Sequence, residues 1–191
     1  GHVADDIKQL KSLKVRGATI TDTSADTGMI ALQGPVALDL LADLWPKKAP
    51  APDTIGAFRV VERAVAGIPC LVARTGYTGE PGVELICAAD RVGDLWDAIL
   101  SRREHGVVPS GLGARDTLRL EMGYPLHGHD IDVKTTPIEA GLARFVHLGR
   151  TFPGSAVLER QAAKGVKRRL VGLRLFDRAI PREGYPILSE G

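Results

Sequence analysis

Between Met29 and Val108 the sequence runs through short apolar segments of two periods, and their order admits few folds. Met29–Gln33 reads as a short strand. Gly34-Pro35 then breaks the chain, and Pro35 suits the first turn of a helix carrying Val36, Leu38, Leu40, Leu41 and Leu44. Lys47 to Pro52 holds two prolines and reads as a loop. Phe58–Ala66, Ile68–Arg74 and Val83–Cys87 are β-rich, separated by Gly67 and by the loop Gly76–Gly82. Arg91–Arg102 has Val92, Leu95, Trp96 and Ile99 on one side, as an amphipathic helix does. Val107-Val108 reads as one more short strand.

The resulting order is strand, helix, three strands, helix, strand. Apart from one additional strand, this is the order of a split β-α-β layer, so the expected class is α+β with a ferredoxin-like sheet. Outside this block, residues 5–14 read as a helix and Thr19–Thr23 as a strand. Ala114–Met122 and Gly154–Ala163 read as helices. Arg169–Leu175 alternates like a strand, and Tyr185–Gly191 reads as a strand running into a turn. This tail has the look of a second domain opening. Neither end resembles a natural terminus, so a fragment of a longer protein is expected.

Composition excludes several classes. An apolar fraction of 44% is too high for a disordered chain. The longest apolar run, Ala64 to Ala73, contains Gly67 and Pro69, and spanning a bilayer takes about 20 residues. No membrane partner is therefore expected. A net charge of +2 supplies no basic field for nucleic acid. Two cysteines, Cys70 and Cys87, cannot build a disulfide framework, and both sit in apolar runs where a thiol behaves as a small hydrophobe. A reducing compartment follows.

Four segments could carry chemistry. In Arg74–Glu84, Gly76, Gly79 and Gly82 give a backbone able to approach a ligand closely, beside Tyr77, Glu80 and Glu84. The loop lacks the Lys-Ser/Thr of a P-loop and the spacing of a dinucleotide turn. Glu84 falls on the strand face opposite Val83, Leu85 and Cys87. If that face is also covered, its carboxylate needs a donor partner; if not, it is a solvated residue after a hairpin loop. In Gly111–Tyr124, Arg115 and Arg119 lie four apart on one helix face, and Leu112, Leu118 and Met122 could pack. Arg115 opposes the helix dipole in the first turn, which suits either a specific anionic partner or a surface ion pair with Asp116 or Glu121.

The third segment sets His127 and His129 beside Asp130 and Asp132. His-x-His with carboxylates can bind zinc, but no third ligand stands at metal spacing elsewhere. A polar loop with capping aspartates, and no metal, is the expectation. The fourth is the basic run Lys164, Lys167, Arg168 and Arg169, which reads as a solvated strand end.

Taken together, "RTGYTGEPGVEL", "GLGARDTLRLEMGYPLHGHDID" and "TTPIEAGL", with "ALQGP" at Ala31–Pro35, strongly resemble the aminomethyltransferase (T-protein) family of the glycine cleavage system. The resemblance is ordered and dense from Met29 to Leu142. It extends to folate-dependent relatives: demethylases, the folate half of sarcosine and dimethylglycine dehydrogenases, and non-catalytic assembly factors.

The resemblance implies transfer of a one-carbon unit from the aminomethyl-lipoyl arm of the H-protein to tetrahydrofolate, with release of ammonia. It implies that Glu84 holds the pterin, whose edge offers two adjacent N–H donors to a carboxylate's two acceptors. Tyr77 becomes a pterin-side contact, and Arg115 and Tyr124 become further folate contacts from the helix, a fixed cation suiting the carboxylated tail. The family's catalytic aspartate is expected upstream of this chain. By the same resemblance, residues 1–28 end an N-terminal folate-binding region and 29–125 form the ferredoxin-like folate-binding domain. Residues 126–165 connect, and 166–191 begin a C-terminal β-barrel-like domain. The expected fragment thus lacks the N-terminal part and most of the C-terminal domain, and is inactive alone. The alternatives are a folate-dependent demethylase, a dehydrogenase folate domain or a non-catalytic folate-binding module. The compartment is bacterial cytoplasm or, in a eukaryote, the mitochondrial matrix, with cytoplasm preferred.

Overall fold

The central sheet begins where Thr27–Gln33 (β1) pairs antiparallel with Gly82–Ala88 (β4), in a computed structural model that describes residues 3–182 and 184–188. Ile68–Ala73 (β3) pairs on the other side of β4, and Val60–Val65 (β2) pairs with β3. The order is β1-β4-β3-β2, an open sheet with β1 and β2 at its edges. Two compact units are distinguished, the first ending at Pro125 and the second beginning at Leu126.

In the first unit, one face of the sheet makes the core. Ile30, Leu32, Val65, Ile68, Val72, Val83 and Leu85 are all buried on it. The strands alternate because successive side chains leave on opposite faces. The helix Ala37–Asp43 (α2) lays Leu40 and Leu41 on this face, and Val92–Leu100 (α3) adds Leu95 and Ile99. Each of these four stabilises the unit by roughly 1.5–3 kcal/mol through burial. Trp96 breaks the expected helical stripe, being 41% exposed. Gly28 lets β1 sit close to α3, since a Cβ there would stand 2.9 Å from the Val92 Cβ. At the far end of α2, Asp43 Oδ2 lies 2.7 Å from His105 Nε2 and ties the helix to the turn Arg103–His105.

β2 and β3 form a hairpin closed by Ala66 and Gly67, both at positive φ (51° and 77°). That pair of conformations is the two-residue turn whose twist matches a hairpin.

Three expectations about this unit are corrected. A split β-α-β layer needs β1 and β2 parallel with one strand between them. Here both β3 and β4 intervene, so three successive antiparallel pairings leave β1 and β2 running in opposite directions. The additional strand changes the parity of the sheet and with it the fold class: α+β, but not ferredoxin-like. Val107-Val108 forms no strand, and among the described residues nothing pairs with the outer edge of β1. Thr19–Thr23 is likewise irregular, leading into the turn Ser24–Asp26. The first helix, Val3–Ser12 (α1), is formed but buries no residue.

The second unit holds the helix Ser155–Lys164 (α5), with Leu158 buried, and a series of turns. Thr136 and Glu139 cap one turn reciprocally: Thr136 N–H donates to Glu139 Oε2 at 2.9 Å, and Glu139 N–H donates to Thr136 Oγ1 at 3.2 Å. Arg168 Nε donates to Glu139 Oε1 at 3.0 Å and Nη2 to Lys134 O at 2.6 Å. This guanidinium bond, with the Thr136 amide behind it, holds the Glu139 carboxyl below its usual range and raises the Arg168 guanidinium.

The expected opening of a barrel-like domain is corrected here. Arg169–Leu175 forms no strand, and no strand is present beyond Ala88 among the described residues. The one four-stranded sheet neither closes nor curls into a barrel. An isolated strand leaves its N–H and C=O groups unpaired and is not stable alone, however well its sequence alternates. Residues 185–188 are also irregular, and the rest of the expected strand Tyr185–Gly191 lies outside the described residues.

Candidate functional site

The face of the sheet opposite the core is not covered within the first unit. One cross-strand row on it runs Val60, Ala73, Glu84, Ala31, and the next runs Glu62, Leu71, Ile86, Met29. Val60, Leu71 and Met29 are exposed. A groove over this face is lined by Thr27, Glu62, Ala64, Leu71, Ile86 and Ala88. None of the four expected folate contacts lines it.

Glu84 is half-buried on this face, not freely solvated. Thr75 Oγ1 donates to its Oε2 at 2.5 Å. Among the described residues no cation stands within ion-pair distance of it. A carboxylate offers about four lone-pair positions, and Thr75 takes one. No other hydrogen bond to it is made by the described residues.

Thr75 belongs to the loop between β3 and β4, and two residues later the same loop carries Tyr77. Tyr77 Oη donates to Pro125 O at 2.7 Å, with Tyr124 O further off at 3.3 Å. Its ring stacks on Tyr124 with centroids 5.8 Å apart and planes at 27°. The guanidinium of Arg115 lies over the Tyr77 ring, 4.7 Å from the centroid. Gly79, at φ 79°, brings the loop against Met122: a Cβ there would fall 2.4 Å from the Met122 side chain. Three of the four expected contacts, Tyr77, Arg115 and Tyr124, thus form one stack. Glu84 is linked to that stack through the loop.

Arg115 and Arg119 behave differently despite sharing a helix, Leu112–Glu121 (α4). Arg119 is 4% exposed, bonds Asp116 Oδ1 through Nε at 2.8 Å and Nη2 at 2.6 Å, and donates to Tyr124 O at 3.2 Å. Asp116, one of the two surface partners open to Arg115, is therefore engaged by Arg119. Arg115 is exposed and has no carboxylate within ion-pair distance among the described residues. The expected packing of Leu112 does not occur, as it is 84% exposed. Arg119 is the buried residue of α4.

Sequence reasoning missed two residues. Gln33, at the end of β1, donates through Nε2 to Thr75 O at 3.2 Å and Val83 O at 3.0 Å. Its Oε1 accepts from Thr78 Oγ1 at 3.3 Å. Thr75 was passed over beside the glycines. The only signal was a polar residue closing an apolar strand before Gly34-Pro35.

The histidines of the His127–Asp132 loop do not gather a metal-like trio among the described residues. Among the described residues the ligand atoms of Asp43, Glu104 and His105 do come within 4.8 Å of one another, but Asp43 and Glu104 are exposed and His105 already pairs with Asp43. No helix of the described residues is long and apolar enough to cross a membrane.

Residues 1–150 match the family model described as the GCVT N-terminal domain. The chain is 47% identical to an aminomethyltransferase of Moorella thermoacetica over 90% of its length, covering 47% of that protein. It is 42% identical to an aminomethyltransferase of Halalkalibacterium halodurans over 97% of its length, covering 51% of that protein. The crystal structure of glycine cleavage system aminomethyltransferase T from Bartonella henselae superposes with a TM-score of 0.72 at 31% identity, over 86% of this chain and 44% of that one. The chain spans about half the length of the curated relatives it matches. The expectation that the N-terminal part of the family is missing is overturned, because the model matched from residue 1 is that of the N-terminal domain. With this match over most of its residues, and with a fold shared at 31% identity, the chain belongs to the GCVT N-terminal domain family.

Proposed function

We propose that this chain is the folate-binding part of an aminomethyltransferase of the glycine cleavage system. It takes tetrahydrofolate as the acceptor and the aminomethyl-lipoyl H-protein as the donor. The names carried by its relatives support the activity. The observation that carries the folate reading is the half-buried Glu84 carboxylate, bonded once by Thr75 and free of any cation in ion-pair range among the described residues.

A carboxylate so held presents two acceptors to the paired N–H donors of a pterin edge. Tyr77 and Tyr124 form the stack on which Arg115 rests, and Arg115 offers a cation to the carboxylated tail of folate. In the transfer, the donor's methylene carbon loses its bonds to sulfur and to the amine nitrogen and gains two bonds to folate nitrogens. The two protons leaving those nitrogens balance the thiol and the ammonia released. The chain's own residues bind and orient the acceptor. The two free cysteines suit a reducing compartment, and we place the protein in the cytoplasm.

The test is a titration of the chain with tetrahydrofolate. Glu84→Gln puts an N–H where the pterin already donates, and its charge-assisted bonds are lost at a cost of about 1.5–3 kcal/mol. Affinity should fall roughly ten- to hundredfold. Unchanged affinity removes Glu84 from the site. Transfer from a methylated sulfur or nitrogen compound in place of the H-protein would move the protein to the demethylase reading.

A further inference from the structure

We infer that Gln33 is a positioning residue for this site: its amide fixes the loop from which Thr75 orients the Glu84 carboxylate. The inference rests on the folate reading of Glu84 for its purpose, though not for its geometry.

Gln33 directs three side-chain hydrogen bonds to one small region. Both N–H groups of its amide go to main-chain oxygens, those of Thr75 and Val83, and its oxygen accepts from Thr78. The amide is half-buried, where a partner left unmade is costly. Thr75 and Thr78 lie in the loop, and Val83 adjoins Glu84 on β4. One side chain thus pins the loop and the strand to each other. Its seat requires two glycines. A Cβ on Gly76 would fall 1.9 Å from Gln33 Oε1, and one on Gly82 would fall 2.7 Å from Nε2 and 2.4 Å from Leu32 O. Gly76 is therefore explained by the approach of this amide, Gly82 by the main chain of β1 together with the amide, and Gly79 by Met122.

With the Thr75 main chain held, its hydroxyl reaches Glu84 Oε2. The sequence of contacts is Gln33 amide, Thr75 carbonyl, Thr75 hydroxyl, Glu84 carboxylate. Without it the glutamate has single-bond freedom about its side chain, and a two-point match to a rigid heterocycle is formed only at the cost of ordering it. Gln33 shares the sheet face of Glu84, but its amide is turned to the loop and the β4 main chain. It acts through Thr75.

Two variants of Gln33 and one of Thr75 test this. Gln33→Met removes the donors at similar length, and Gln33→Glu sets a carboxylate against two carbonyls while keeping the acceptor for Thr78. Thr75→Val removes the hydroxyl at constant shape. The Glu84 side-chain carboxyl carbon is followed by NMR without ligand, and tetrahydrofolate affinity is measured well below every melting temperature. The expected result is a moved Glu84 resonance in all three variants and an affinity loss of about tenfold in each. Thr75→Val combined with either Gln33 variant should lose no more than the larger single loss, because both act through one link. Thr75→Ser restores the hydroxyl and should restore binding.

A Glu84 resonance unmoved in the Gln33 variants, or losses that multiply, overturns the inference. If Gln33→Met fails to fold, Gln33→Glu carries the same reading, and Thr75→Val tests the last link alone. Should the resonance move as expected while Glu84→Gln binds tetrahydrofolate as before, the inference about geometry survives and the folate reading fails. The reverse pattern leaves the folate reading and removes Gln33.

Discussion

Arg115 rests its guanidinium on the ring of Tyr77, 4.7 Å from the centroid, while Arg119 one turn along the same helix is buried against Asp116. The two arginines share a face and a residue type, yet one is committed internally and the other presents its N–H groups outward. This division makes Arg115, and not Arg119, the cation available to an anionic ligand.

Arg115→Ala should weaken binding of folate carrying its glutamate tail more than binding of a tail-less pterin. A fluorescence titration with both ligands measures the difference. Equal losses would reassign Arg115 to the ring-binding part of the site or to structure alone.

Arg119→Ala should act on stability instead. It deletes bonds to Asp116 and Tyr124 O from a side chain that is 4% exposed. A loss of about 1.5–3 kcal/mol is expected, read by urea unfolding. Asp116→Asn, whose carboxylate is 56% exposed, should cost about 1 kcal/mol or less. Equal costs would mean that the Asp116 bond carries the whole contribution of Arg119, and that its burial and its bond to Tyr124 O add nothing.

The β2–β3 turn holds a stored penalty. Ala66 has φ 51°, a conformation that disfavours a Cβ-bearing residue, and it is exposed. Asparagine tolerates the left-handed region better and favours this turn. Ala66→Asn should raise stability by about 0.5–1 kcal/mol, seen as a higher melting temperature. No change, or a fall, would show that the turn relaxes around alanine.

Burial pushes the Cys70 thiol up, from 9.0 to about 11, with a smaller contribution from neighbouring Cys87. The folded state therefore keeps this proton where the unfolded chain would release it. Cys70 thus contributes stability that is complete below pH 9.0 and is lost as pH rises toward about 11. Iodoacetamide at pH 8 should modify Cys70 far more slowly in the native protein than in urea. Comparable rates would place Cys70 outside the core.

The elements with strong apolar periodicity were legible in the sequence. β1, β3, β4, α2 and α3 lie within a few residues of their expected positions, and the buried faces of the strands follow from alternation. The expected folate residues Tyr77, Arg115 and Tyr124 do meet. What failed had no local warning. Arg169–Leu175 alternates as well as β3 does, but among the described residues no neighbouring strand accepts its hydrogen bonds. Trp96 and Leu112 have the right spacing for burial and lack a surface to pack against.

By itself, then, the sequence determined which segments could be strand or helix, which face of each strand would be apolar, and where a glycine-rich loop would carry aromatic and acidic groups. These depend on forces acting within a few residues: backbone sterics and the two side-chain periods. Tertiary structure alone decided the parity of the sheet, the choice between Arg115 and Arg119, and the grip of Gln33 on Thr75. The seat of Arg115 on Tyr77 and the grip of Gln33 on Thr75 are contacts between segments far apart in the chain, while Arg119 is held by near neighbours once its side of the helix is buried. The parity of the sheet is a sum of strand pairings. A side chain's neighbours across such distances are set by how whole elements pack, and no local pattern records them.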